Sequence, residues 1–271
     1  SSRDYGKIRA VGSFSFVLMS LLLQFFLHGK VGTPLQMIFW MAIPALLSGI
    51  SLFFVPGLMS GKSGVPQEER LAAIQSKSSI FSSISGFSAM YWNVIGLIFI
   101  AYLALSPINK FFSLYICDFL HLNAAPFFWA IQALVEIPFM ILSGHLIKRY
   151  GSNKLLVITV FTISIRLLIY ILIPNFAGAL IGQLLNALTF GLFHPVAVSY
   201  ICKNVPIEKQ VTGLALYTVV ANGLGNIIGS AAGGVIIEYF GYQTLFLGAA
   251  CLPPLGILAF MCIEKKLKIR K

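Results

Sequence analysis

The sequence predicts an all-α integral membrane protein, a helical bundle of about eight spans. Two properties of the whole chain and one of its charge pattern carry that prediction. Of its 271 residues 58% are hydrophobic and only 10% are charged, with a mean hydropathy of +0.90. A soluble domain carries about a quarter charged residues. The apolar residues fall in runs of about 20, the length that crosses a bilayer as a helix. The basic residues are one-sided: 16 of the 19 Lys and Arg fall in segments assigned to the cytosolic face, the bias that orients membrane proteins.

The spans are predicted at 9–27, 35–57, 89–107, 124–146, 155–173, 177–201, 211–236 and 244–262. The first follows Lys7 and Arg9 and lacks a small-residue cleavage site, so it reads as a span and not as a removable signal. The third can extend to Tyr115, carrying Pro107, Asn109 and Lys110. Between the second and third lies the one long connection, 58–88, which is polar and Ser/Gly-rich. Its segment Gly57-Leu58-Met59-Ser60-Gly61-Lys62-Ser63 has three residues between its glycines, where a phosphate-binding loop has four, and no strand precedes it. It is a linker.

The net charge of +11 needs no nucleic-acid partner, because positive-inside segments account for it. Both termini then lie in the cytosol, and the chain is expected in the plasma (inner) membrane. Cys117, Cys202, Cys251 and Cys262 make no metal-spaced pair. No nucleophile–His–acid arrangement or dinucleotide fingerprint is found in the sequence. Neither enzyme chemistry, a metal nor a cofactor is expected.

The chemistry sits in the fourth and fifth spans. The run FFWAIQALVEIPFMILSGHL carries Gln132 and Glu136, a short basic turn follows, and LLVITVFTISIRLLIYILI carries Arg166. Glu136 lies fourteen residues before Tyr150 and Arg166 sixteen after it. At about 1.5 Å per residue both sit roughly 20 Å from the turn, at similar depth. A buried acid and base at one depth face a partner or a wet cavity. For Glu136 this suggests a proton site, with a neutral or Arg-paired acid that orders the bundle as the alternative. Arg166 reads equally as its partner, as a donor to a solute anion or hydroxyl, and as a structural pair. In the sixth span Gln183, Asn186, Phe190 and His194 share one face at steps of three and four. They line a cavity or bond between helices.

The sequence also repeats. SGHLIKRYGSNKLL, at the end of the fourth span, matches GGVIIEYFGYQTLF, at the end of the seventh, at an offset of ninety residues. The same offset carries Gln132 onto Asn222 and Glu136 onto Asn226. Three spans apart, the copies have opposite orientation, and only the first turn is basic. Inverted three-helix repeats with a midplane site are a transporter device. A small-residue stripe, Ala221, Gly225, Gly229 and Gly233, allows close helix approach.

These features resemble the major facilitator superfamily. The turn Gly144-His145-Leu146-Ile147-Lys148-Arg149-Tyr150-Gly151 is similar to its G-x-L-x-D/N-R-x-G signature, with Lys148 at the Asp/Asn place. Tyr5-Gly6-Lys7-Ile8-Arg9-Ala10-Val11-Gly12-Ser13 is similar to the start of the fifth helix in the branch that contains lactose permease and the 3-phenylpropionate and nucleoside proton symporters. That resemblance implies that Arg9 holds solute hydroxyls and that Phe16 stacks on a solute ring. Ser164-Ile165-Arg166-Leu167-Leu168 resembles the ninth helix, whose Arg belongs to the coupling network. In QLLNALTFGLFH, similar to the tenth, Asn186 stands where a His is usual and Thr189 where the permease has its proton-carrying Glu. Glu136 is then the remaining buried carboxylate.

The resemblance implies eight of twelve helices, the family's fifth to twelfth. Residues 1–57 would be the last two helices of the N-terminal bundle, 58–88 the cytosolic linker and 89–271 the C-terminal six-helix bundle. Four upstream helices are the missing partner segment, and the glycine stripe and the Arg9 face are expected to pack on helices absent from this chain. The implied function is secondary active transport of a small solute such as a sugar, nucleoside or aromatic acid by proton symport with alternating access. The alternatives are a non-transporting sensor or assembly protein and an inactive truncated product. The expected binding or transport residues are Arg9, Phe16, Gln132, Glu136, Arg166, Asn186, His194, Asn222 and Asn226, and the partners are a small solute, protons and the bilayer.

Overall fold

The computed structural model describes residues 2–27, 34–53 and 86–269, and all of its regular elements there are helical. Helix α1 is Ser2–Leu27 and α2 is Pro34–Phe53. Helix α3, Ala89–Leu114, continues as a π-helical turn, Tyr115–Phe119. Helices α4, Ala125–Tyr150, and α5, Ser152–Leu172, follow. Helix α6, Phe176–Leu184, leads into a second π segment, Ala187–Leu192, and then α7, Phe193–Asn204. Helix α8, Gln210–Thr218, a third π segment, Val219–Gly225, and α9, Asn226–Ile269, complete the chain. Two compact units result, residues 1–29 with 87–271, and residues 30–86. The second holds α2.

Five helical stretches among the described residues are long and apolar enough to cross a membrane. The last, Ile207–Leu267, has 61 residues, about three times a single crossing. Gly241, at φ 80°, divides it. Gly151, at φ 82°, lies between α4 and α5. Both backbones lie in the left-handed region, where glycine carries no Cβ penalty. These are the two glycines that the ninety-residue repeat aligns.

Local chemistry sets the other boundaries. The Ser88 hydroxyl accepts from the Tyr91 amide and starts α3. The Asn175 side chain accepts from the Gly178 amide and starts α6. Pro126 sits in the first turn of α4, where its missing N–H costs nothing. Pro195 follows the π segment 187–192 closely and cannot donate to a carbonyl four residues back.

The faces are those of a protein whose solvent is lipid. Along α5 the exposed residues Ile158, Phe161, Ile165, Leu168 and Leu172 recur at helical spacing, while Thr159, Thr162, Ser164 and Arg166 are buried. Polar groups point inward because hydrocarbon offers them no partner. Aromatic packing of Phe112, Tyr115, Phe128, Tyr170 and Phe246 fills one end of the core, and the Tyr115 hydroxyl donates to the Tyr170 carbonyl at 2.7 Å. The Ser164 hydroxyl donates to the Ala250 carbonyl at 2.7 Å and ties α5 to α9.

The glycine stripe departs from expectation. It packs on α3, within this chain, and not on helices missing from it. A Cβ at Gly225 would lie 3.0 Å from Tyr102 Cβ, at Gly229 2.5 Å from Ser106 Cβ, and at Gly233 2.7 Å from the Phe111 ring. The periodicity announces a close approach without naming the helix that makes it.

Candidate functional site

Helix α4 brings Gln132 and Glu136 to one face, one turn apart, and Pro138 lies just beyond them. Helix α5 returns antiparallel after Gly151 and presents Arg166 and Tyr170, also one turn apart. The third side comes from α6 and its π segment, with Gln183, Asn186 and Thr189. Two glycines let these walls approach. A Cβ on Gly191 would stand 3.1 Å from the Glu136 Cα, and one on Gly182 would stand 2.2 Å from the Tyr170 ring.

Arg166 lies at the centre and is 1% exposed. A guanidinium has five N–H bonds, and each has an acceptor here. Nε donates to the Tyr170 hydroxyl at 3.2 Å. One terminal nitrogen donates to Asn186 Oδ1 at 2.6 Å and Thr189 Oγ1 at 3.0 Å. The other donates to Gln183 Oε1 at 2.7 Å and Gln132 Oε1 at 3.1 Å. All five acceptors are neutral oxygens. Asn186 then donates from Nδ2 to Glu136 Oε1 at 2.5 Å. Its amide is oriented at both ends, because only the oxygen can face the guanidinium and only the NH₂ can face a carboxylate. A buried charge is tolerable when its hydrogen-bonding capacity is filled, and the cage fills it. The Gln183 amide is held through its oxygen alone, and its buried Nε2 has no partner among the described residues.

A second polar group joins α7, α8 and α3. His194 Nδ1 and the Tyr217 hydroxyl are 2.7 Å apart, and Tyr217 and Tyr102 share a hydroxyl–hydroxyl bond of 3.2 Å. Phe190 stacks on His194 with ring centroids 6.0 Å apart. The Asn226 carbonyl accepts from Ser230 and Ser106 in the α3–α9 contact. Phe16 is 51% exposed. The side chains of Arg9 and Asn222 lie outside the described residues.

Of the nine expected residues, four (Gln132, Glu136, Arg166 and Asn186) therefore form one connected cluster, and His194 belongs to a neighbouring one. Sequence reasoning missed Tyr170 and Tyr217, whose hydroxyls look like ordinary membrane-helix residues. Gln183, read as part of the polar face of the sixth span, and Thr189 were not among the nine, although both lie in the span that carries Asn186.

The family described as MFS_1 like matches residues 1–248. The chain belongs to that family of the major facilitator superfamily. It is 25% identical over 276 residues to a protein named uncharacterized transporter YwbF from Bacillus subtilis (strain 168), which covers 98% of this chain and 64% of the relative. It is 24% identical over 272 residues to a probable 3-phenylpropionic acid transporter from Escherichia coli (strain K12), covering 93% of this chain and 63% of that protein. The fold matches the crystal structure of the nucleoside transporter NupG (D323A mutant) with a TM-score of 0.67 at 17% identity, covering 96% of this chain and 67% of that one. The chain thus spans about two thirds of the length of these relatives. Like other members of the superfamily, it is a multi-pass membrane protein, and the relatives it matches are named as transporters and not as enzymes.

Proposed function

We propose that the chain is the greater part of a secondary active transporter that moves a small solute with protons by alternating access. The observation that carries this reading is the Gln132–Glu136–Arg166–Asn186 cluster, a filled polar cage buried among apolar helices. Packing alone does not ask for an arginine and a glutamate there, since apolar residues of similar volume stabilise a core as well or better. Ionisable groups held within membrane helices mark solute and proton paths. Glu136 carries the proton in this reading, and Arg166 sets the field in which it is bound and released.

Helix α1 belongs to the same account. Val17 packs with Ala130 and Ala133, two residues before Gln132 and one after it. The proposed arrangement makes 1–57 the end of one bundle, 58–88 the cytosolic linker and 89–271 the second bundle, with eight spans present and four helices preceding them. Arg9 and Phe16 then approach the solute from the first bundle, and Asn222 and Asn226 occupy the inverted-repeat positions of Gln132 and Glu136. His194 serves the same cavity. The positive-inside pattern supports cytosolic termini in the plasma (inner) membrane.

The test is proton-driven uptake of sugars, nucleosides and aromatic acids into proteoliposomes, by the 271-residue chain and by a version preceded by four further helices. The expected result is flux in the longer form. Solute binding with no flux in either form would favour a sensor and count against transport.

A further inference from the structure

Arg166 is the cation one would first assign to an organic anion, because its guanidinium matches a carboxylate in a two-bond fork. The geometry points to the opposite: we infer that this cluster takes a neutral solute bearing hydroxyl or N–H donors, a sugar or nucleoside, and rejects carboxylates. The inference rests on the transport reading above and narrows its solute class.

Two observations carry it. First, the five N–H bonds of Arg166 already meet five neutral oxygens on Tyr170, Asn186, Thr189, Gln183 and Gln132. The guanidinium has no donor left over, and the cage donor without a partner among the described residues, Gln183 Nε2, is on a fully buried side chain, so an anion would have to displace members of the cage, each leaving a buried oxygen without its donor. Second, exposure is graded. Gln183 and Thr189 are fully buried, Arg166 is 1% and Asn186 2% exposed, Glu136 reaches 8%, and Gln132 is half-buried. A solute approaching from the least buried side meets the Gln132 amide first, and Glu136, though buried, is the next least covered member of the cluster. An ionised Glu136 repels a carboxylate and accepts from hydroxyls and N–H groups. A protonated one still offers a carbonyl acceptor and one donor. In either state the exposed edge suits polyol or nucleobase edges.

The experiment uses matched pairs that differ in one charge, in counterflow from preloaded proteoliposomes: glucose with glucuronate, uridine with its 5′-carboxylate, and 3-phenylpropionamide with 3-phenylpropionate. The expected result is that at least one neutral member exchanges about tenfold or more faster than its carboxylate, the factor that one charge-assisted hydrogen bond commands. Gln132→Ala opens one guanidinium N–H at the exposed edge, so it should raise carboxylate exchange about tenfold. That variant alters a half-buried position, and monodispersity in detergent checks its folding. A carboxylate carried as fast as its neutral partner by the unaltered chain would overturn the inference, as would a folded Gln132→Ala chain that gains nothing for carboxylates. All of these exchanges are measured in the form preceded by four further helices, and absence of exchange for every member in that form would overturn the transport reading itself, a different result from either.

Discussion

The Asn186 amide bridges Glu136 and Arg166. Asn186 accepts from the guanidinium at 2.6 Å and donates to the carboxyl group at 2.5 Å. A direct ion pair would hold both groups in one fixed state. An intervening amide lets the carboxyl group feel the cation while remaining a separate group, and a change in its protonation acts first on the Asn186 NH₂.

This arrangement predicts a measurable coupling between Asn186 and Glu136. Asn186→Leu should destabilise the folded chain by about 2–3 kcal/mol, since it strands a buried donor and a buried acceptor at once. In a double-mutant cycle with Glu136→Gln, unfolding in detergent should show a coupling of about 1–2 kcal/mol. Additive effects would mean that the amide does not join the two groups.

The cage makes a sharper prediction for Arg166. Lysine keeps the charge but has three donors on one nitrogen, and it cannot serve five oxygens spread around a plane. Arg166→Lys should therefore cost about 2–4 kcal/mol, the sum expected for two buried acceptors left unserved. Thermal unfolding in detergent checks this. A loss below about 0.5 kcal/mol, the range of ordinary surface changes, would mean that charge alone matters.

Helix approach can be tested away from the cluster. An alanine at Gly229 would place its Cβ 2.5 Å from Ser106 Cβ, an overlap that must push α3 and α9 apart. Gly229→Ala should cost about 1–3 kcal/mol, and adding Ser106→Gly should restore part of it. Unfolding of the single and double variants decides the matter.

How much of this was legible beforehand follows from what membrane sequences conceal. Gln132, Glu136, Arg166 and Asn186 stand out because polar groups in apolar runs are rare and expensive. Apolar runs announced an all-helical membrane chain, of which five stretches among the described residues are long and apolar enough to cross a membrane. Tyr170 was not legible, because nothing in its own segment shows that it faces Arg166 and accepts from it. Thr189 shares a face with Asn186, three residues away, but it reads only as the place of an absent Glu, and nothing local shows that its hydroxyl accepts from Arg166. Tyr217 and His194 are 23 residues apart, and no local pattern joins them. The glycine stripe showed that a helix comes close, but only the packing identifies it as α3.

The most direct test of the central claim, that Glu136 is the proton-bearing group of a transport site, is Glu136→Gln in proteoliposomes. Two readouts are compared: proton-driven accumulation, and counterflow exchange without a proton gradient. Glutamine keeps the hydrogen-bonding outline and cannot carry the proton. The account predicts that accumulation is lost while exchange continues. Accumulation that survives the substitution unchanged would contradict it and remove Glu136 from the coupling step.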